Sequence, residues 1–439
     1  MQIASPSSRR LVLATAIAFG SAGVSTGAAK AADLGKSCCA DLETRVADLE
    51  ASAVRSGNRK LEMTISGQDN AGMVWWSDGF TATDTRDHAF FDRNSTVYVV
   101  NGSASRTKLD ILGTGKIREG PTAGYSLGLR PWGSKMDEVS QVDQNPNQNT
   151  VAVESTYVFI EAEAIGKLQL GKQDSVAEEA WAQDLGGSSG TIVGGNPGDW
   201  NGGFHLRDSK GRLTDVTWGA VLAESNTTQV PRLAFSSREF SGVHVAASVG
   251  GDDTYAAALF YANTFGTVNV AAGVGYDLSR GHDAVESQAA GTNLTHATLA
   301  KFVMSGSLFE SQSALYASAA FSEAASDISG RHDATNFYGK AGWKRDVTGL
   351  GETNIYAEAD RTIGLQANSI EANLWGVGIT QDIAATDSVL YVGYRHTQLE
   401  SGTAGANLID AANTALNGPS GLVPTQHFDA VLAGMAVKF

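Results

Sequence analysis

The sequence predicts an all-β fold: a 16-stranded antiparallel transmembrane β-barrel preceded by a short N-terminal periplasmic helix or coiled coil. Three observations carry the prediction. Apolar residues recur with a period of two from just after Arg59-Lys60 to Phe439, with no later linker or change of composition. Short turns mostly alternate with longer polar connections over the same stretch. No run approaches the roughly 20 consecutive apolar residues that a membrane-crossing helix needs. Only 42% of the residues are hydrophobic, which suits a barrel in which alternate side chains meet lipid and the others meet water.

Residues 1–31 have the form of a secretory signal peptide: Arg9-Arg10, an apolar run from Leu11 to Phe19, and Ala29-Lys30-Ala31 at the cleavage site. Ser8-Arg9-Arg10-Leu11 also resembles a twin-arginine signal, but that route carries folded cargo, which a membrane barrel is not. Removing the leader takes away three positive charges and no acid, so the formal charge falls from -15 to -18. So acidic a chain argues against nucleic-acid binding, which needs a basic face. In the periplasmic segment, residues 32–58, apolar residues at Cys39, Leu42, Val46, Leu49 and Ala53 follow a coiled-coil seam. Two heptads are too short to be stable alone. The segment is either a loose helix or a small multi-chain bundle held together by the barrels. Cys38 and Cys39 are adjacent, so they pair between chains or stay reduced.

Residues 59–439 form a single barrel domain. In its first strand Leu61, Met63, Ile65, Gly67, Ala71, Met73 and Trp75 share a face, broken only by Asp69. Strands are predicted at 60–76, 107–117, 122–130, 151–163, 167–173, 231–237, 242–249, 254–262, 267–276, 297–307, 313–321, 335–344, 353–362, 372–381, 388–397 and 427–439. The piece Leu213 to Leu222 also has strand character, but a seventeenth crossing would leave the termini on opposite sides of the membrane. Parity assigns it to the third extracellular loop, residues 174–230, much the longest connection and therefore a functional candidate. Residues 151–163 are ambiguous in facing, because both alternating sets mix acids with aromatics.

The chain ends with Val431, Ala433, Met435, Val437 and Phe439 on one face, which resembles the signal read by the barrel-assembly machinery of bacterial outer membranes. A wider resemblance follows from Cys38-Cys39-Ala40-Asp41-Leu42-Glu43-Thr44-Arg45-Val46, Gly57-Asn58-Arg59-Lys60, Ser66-Gly67-Gln68, Val97-Tyr98-Val99-Val100, the hairpin Gly166-Lys167-Leu168-Gln169-Leu170-Gly171-Lys172-Gln173, and Tyr391-Val392-Gly393-Tyr394-Arg395. These look like the alphaproteobacterial porins of the rhizobial type, over essentially the mature chain. The resemblance implies a homotrimer in outer-membrane lipid, each barrel a channel for small hydrophilic solutes, with the third loop folded inward to narrow the pore.

That loop carries 8 acids, Asp174, Glu178, Glu179, Asp184, Asp199, Asp208, Asp215 and Glu224, against the 3 bases Arg207, Lys210 and Arg212. If it lines the pore, Asp174, Glu178, Glu179, Asp184 and Asp199 form an acidic side of the constriction. Lys108, Arg130, Lys340 and Arg395 are the opposing basic wall, chosen because their apolar or aromatic neighbours would face lipid. Acid on one side and base on the other would order water and favour polar solutes, and the acidic excess suggests a mild preference for cations. Trp75, Trp76, Trp132, Tyr157, Trp343, Trp375 and Tyr394 are candidates for interfacial girdles. Trp181, Trp200 and Trp218 lie in the long loop, where they stack on sugars or pack the loop itself.

Enzymatic signals are poor. His88, His205, His244, His282, His296, His332, His396 and His427 are scattered singly without metal-ligand spacing. Gly194-Gly195-Asn196-Pro197-Gly198 lacks a following Gly-Lys-Ser/Thr, so no phosphate loop is expected, and no cofactor is called for. Three functions remain: a general diffusion channel, a channel specific for a sugar or amino acid, and a barrel that anchors surface interactions.

Overall fold

A computed structural model describes residues 61–80, 94–102, 105–118, 120–131, 133–146, 151–187, 197–208, 211–222, 229–251, 253–280, 299–326, 333–364, 370–401 and 425–439. The leader and the seam residues Cys39, Leu42, Val46, Leu49 and Ala53 lie outside them. The chain divides into Met1–Glu62 and Met63–Phe439, and the second unit is the barrel. Its strands are β1 (Glu62–Ser77), β2 (Ser95–Asn101), β3 (Lys108–Lys116), β4 (Thr122–Pro131), β5 (Val151–Ala162) and β6 (Gly166–Gln173). Two short strands of the third loop follow, β7 (His205–Arg207) and β8 (Leu213–Thr217). The wall resumes with β9 (Val230–Ser237), β10 (Val243–Gly250), β11 (Thr254–Phe265), β12 (Val268–Ser279), β13 (Leu299–Glu310) and β14 (Leu315–Ser326). It ends with β15 (Ala334–Asp346), β16 (Glu352–Ile363), β17 (Ile370–Ile383), β18 (Ser388–Ser401) and β19 (Thr425–Lys438).

Seventeen segments form one sheet, but β2 and β3 both lie against β1 and are two halves of one crossing, so the barrel has sixteen. Every neighbouring pair is antiparallel, and β19 returns to β1. Phe439 N donates to Gly67 O at 3.0 Å and Gly67 N to Phe439 O at 2.9 Å, completing the seam. Closure leaves no free edge, as a wall inside hydrocarbon requires. Among the described residues Leu213–Thr217 pairs only with β7, in a sheet of its own. The sequence missed β2, because the break before Lys108 hid the continuity of the second crossing.

Alternation sorts side chains by face. Met63, Ile65, Met73, Trp75, Val97 and Val99 are exposed on the outer surface, whereas Asn70, Val74, Trp76, Tyr98 and Val100 are buried inside. Trp76 therefore does not belong to a girdle, but Trp375 and Tyr394 do stand outward, edge to face at 5.2 Å. The ambiguity of residues 151–163 has a local cause. The register of β4 on β5 shifts between Gly128, opposite Ser155, and Leu129, opposite Val153, so Glu154 is an extra residue. A bulge reverses which parity points outward. Val151 and Val153 are exposed before it, Val158 and Ile160 after it, and Tyr157 and Phe159 turn to the lumen beneath Lys167. Short turns bring successive strands together on the side opposite the long third loop. At Gly166, φ is 131° and an added Cβ would stand 2.1 Å from Ser236 O, so only glycine fits.

Candidate channel constriction

The described parts of the third loop lie along the inside of the barrel, and the wall's inward residues are chosen to receive them. Its first part carries a single helical turn, Glu178–Trp181, against β12 and β13. Added Cβ atoms at Gly273 and Gly275 would stand 2.8 Å from Ala180 Cα and 2.9 Å from Ala177 Cα, so missing side chains make the seat. Ser305 Oγ donates to Ala180 O at 2.6 Å and accepts Gln183 N at 3.0 Å, and Ser307 Oγ accepts Leu185 N at 2.9 Å. Ser318 Oγ donates to Asp184 Oδ1 at 2.9 Å, Lys340 pairs with Asp184, and Asn354 Nδ2 donates to Gly186 O at 2.9 Å. Loop backbone deprived of water is thus hydrogen-bonded by wall side chains.

The second part crosses to β18, β19 and β1. Arg395 Nη1 donates to Pro197 O at 3.4 Å, its guanidinium lies 4.9 Å from the Trp200 ring, and Asn201 Nδ2 donates to Thr397 Oγ1 at 3.3 Å. Phe204 enters an aromatic cluster, 4.8 Å from Trp76 and 4.7 Å from Phe428, with Tyr98 and Trp218 around them. Such contacts add to area burial. Arg207 is clamped on both main-chain sides by Gln426, its N donating to Gln426 Oε1 at 2.7 Å and its O accepting Gln426 Nε2 at 3.0 Å. Its guanidinium donates Nε and Nη2 to Asp78 Oδ2 at 2.8 and 2.7 Å. Burial pushes the Asp78 carboxyl above the usual carboxylate range, opposed by the Arg207 charge. Gln141, in the connection between β4 and β5, exchanges two 2.9 Å bonds with the His205 main chain.

Of the residues singled out in the sequence, Asp184 and Lys340 meet directly. Arg395 pairs instead with Glu358 of β16, Nε to Oε1 at 2.8 Å, and Arg130 with the bulge residue Glu154. Lys108 sits 2.8 Å from Asp110 of its own strand. Asp174 is exposed at the end of β6, Glu178 and Glu179 are half-buried on the helical turn, and Asp199 is buried. Trp181, Trp200 and Trp218 are all buried, so they pack the loop and offer no surface for a sugar. Glu358 was within reach of sequence reasoning, since Asn354, Tyr356, Glu358, Asp360 and Thr362 form one inward-facing set. Glu154 was not, because the bulge concealed its facing.

Sixteen crossings around an inward-folded loop define a channel-forming barrel of the outer membrane. The chain belongs to the Gram-negative porin family, whose model matches residues 14–402, and it is a channel and not an enzyme. Among solved structures it is similar to an anion-selective porin from Comamonas acidovorans, at 13% identity and a TM-score of 0.56, covering 86% of this chain and 100% of that one. It is also similar to the outer membrane protein OmpT of Vibrio cholerae, at 11% identity and a TM-score of 0.52, covering 87% and 98%. A trimer form of that protein matches at 12% identity and a TM-score of 0.50, covering 86% and 99%. At these identities the likeness is one of fold. No curated protein sequence matches.

Proposed function

We propose that the chain is a general diffusion porin of the alphaproteobacterial, rhizobial type: a water-filled path for passive entry of small hydrophilic solutes and ions, mildly preferring cations. The observation that carries this is the attachment of both described parts of the third loop to the inner wall, one at Ser305 on β13 and the other at Gln426 on β19. A loop held at both parts narrows the lumen and leaves an aperture beside it. Asp174, Glu178, Glu179, Asp184 and Asp199 are its acidic side, and Lys108, Arg130, Lys340 and Arg395 its basic wall. Each of those bases pairs with an acid. That pairing weakens the positive side of the transverse field and supports a preference set by the remaining acids and the charge of -18 after removal of the leader.

The trimer form of the Vibrio protein supports a homotrimer. An even number of crossings keeps both termini on one side of the membrane; in this reading that side is the periplasm, residues 1–31 are removed on export, and residues 32–58 are a periplasmic segment with a short coiled-coil helix. The set ending in Phe439 guides insertion by the barrel-assembly machinery. Reversal potentials in a potassium chloride gradient across a planar bilayer test the selectivity. The expected sign is that of potassium permeating faster than chloride, by about twofold to fivefold for weakly screened wall charge. A chloride-preferring potential would refute the cation preference.

A further inference from the structure

Strand register brings together two histidines that have no metal-ligand spacing in the sequence. His396 shares its side of β18 with Leu390 and Val392, and His427 shares its side of β19 with Val431 and Met435, all four apolar residues being exposed on the outer surface. Both histidines stand toward the ends of their strands away from Phe439. His396 is set against Asp429 and Gln398 against His427, so the two histidines are diagonal neighbours. Their ring centres stand 5.4 Å apart, with the planes inclined by 31°. Two imidazoles on one tetrahedral ion, with metal–nitrogen bonds of about 2 Å, hold their centres roughly 5 Å apart. His396 is also oriented as a ligand is. Its Nδ1 donates to Asp429 Oδ1 at 2.8 Å, and the same oxygen accepts Tyr394 Oη at 2.5 Å, so the ring is held with Nε2 as its open nitrogen. His427 is exposed and its ring has no hydrogen-bond partner among the described residues, so it turns toward His396 without breaking a bond. The surrounding charge favours a cation. Glu400 accepts Gln398 Nε2 at 3.0 Å, Glu371 lies directly across from Glu400 on β17, and Arg361, paired with Glu371, is the base beside them.

We propose that His396 and His427 bind one divalent late transition-metal ion on the outer wall of the barrel, with Asp429 as a positioning residue that acts through His396. Imidazole nitrogen suits zinc, copper and nickel, whereas magnesium and calcium take oxygen ligands. Among the described residues no group of three His, Cys, Asp or Glu side chains is arranged to hold a metal, so the protein supplies two nitrogens and water fills the other positions. Such a site binds reversibly. The ion fastens β18 to β19 on either side of the connection 402–424. It stands apart from the lumen, so the assignment does not depend on what the pore conducts.

The test uses the full chain purified in detergent without a histidine tag, zinc(II) as the ion, and diethyl pyrocarbonate, which modifies imidazole nitrogens that are not bound. Mass spectrometry of peptides reads the modification at each histidine separately, so zinc held elsewhere on the chain does not confuse the result. Zinc is expected to protect His396 and His427 together, with one half-protecting concentration, and magnesium in large excess to protect neither. In H427A the concentration of zinc that protects His396 should rise at least about tenfold, the loss of one of two ligands. D429N should raise the half-protecting concentration for both histidines about tenfold to a hundredfold. Both variants alter partly exposed side chains on the outer surface, and both should keep the heat-sensitive mobility of a folded barrel on gels. Protection of one histidine without the other, equal protection by magnesium, or unchanged protection of His396 in H427A would overturn the site. Unchanged protection in D429N would overturn the role given to Asp429.

Discussion

K340A should destabilise the barrel by about 3–5 kcal/mol and make its current noisy, because it strands a carboxylate where the third loop is pinned. Asp184 and Lys340 are side chains of 7% and 1% exposure, so neither recovers water when its partner is lost. Ser318 still donates to Asp184, but a neutral hydroxyl cannot balance the buried charge. The paired replacement K340M with D184L, similar in bulk and uncharged, should lie within about 1–2 kcal/mol of wild type. Unfolding in urea from detergent micelles measures both, and the coupling energy from the four-protein cycle isolates the pair. If K340A costs no more than the double variant, the pair is not what fixes this part of the loop.

F204A is expected to cost about 3–5 kcal/mol and to free the hairpin of β7 and β8 from the wall. Phe204 has no exposed surface and joins Trp76 and Phe428 on the wall to Trp218 of the loop's own segment. Limited trypsin digestion reads the consequence. Arg207 in the wild type is sealed between Gln426 and Asp78 and should resist cleavage, and in F204A it should be cut. W75A removes a neighbouring aromatic that faces outward, and should leave the resistance intact. Equal resistance of Arg207 in F204A and wild type would mean the aromatic cluster does not hold the hairpin.

These expectations show where the sequence was legible. The wall was, because one face meets lipid: Met73 and Trp75 outward against Asn70 and Val74 inward is a signal local to a few residues. Parity then excluded Leu213–Thr217 from the wall without any tertiary information, and it pairs with β7 in a separate small sheet. Two features defeated the same logic. A bulge inverts the alternation at Glu154, and the break after Asn101 hides the upper half of the second crossing. Trp76 shows a different limit. It sits at the end of β1 beside Trp75, and composition favours a girdle for both. Its burial depends on Phe204, more than a hundred residues away in a loop whose fold no period describes. The pairing of bases was half legible: Lys340 and Asp184 could be named as opposites, whereas the choice of Glu358 by Arg395 is set by strand register.

The central claim is that the third loop narrows the barrel and does not plug it. Single-channel recording of the purified wild-type protein in planar bilayers tests that most directly. Discrete conductance steps that are linear in voltage and rise in proportion to bulk salt are predicted, as for a fixed aqueous aperture. Insertion of folded barrels without any conductance step would contradict it.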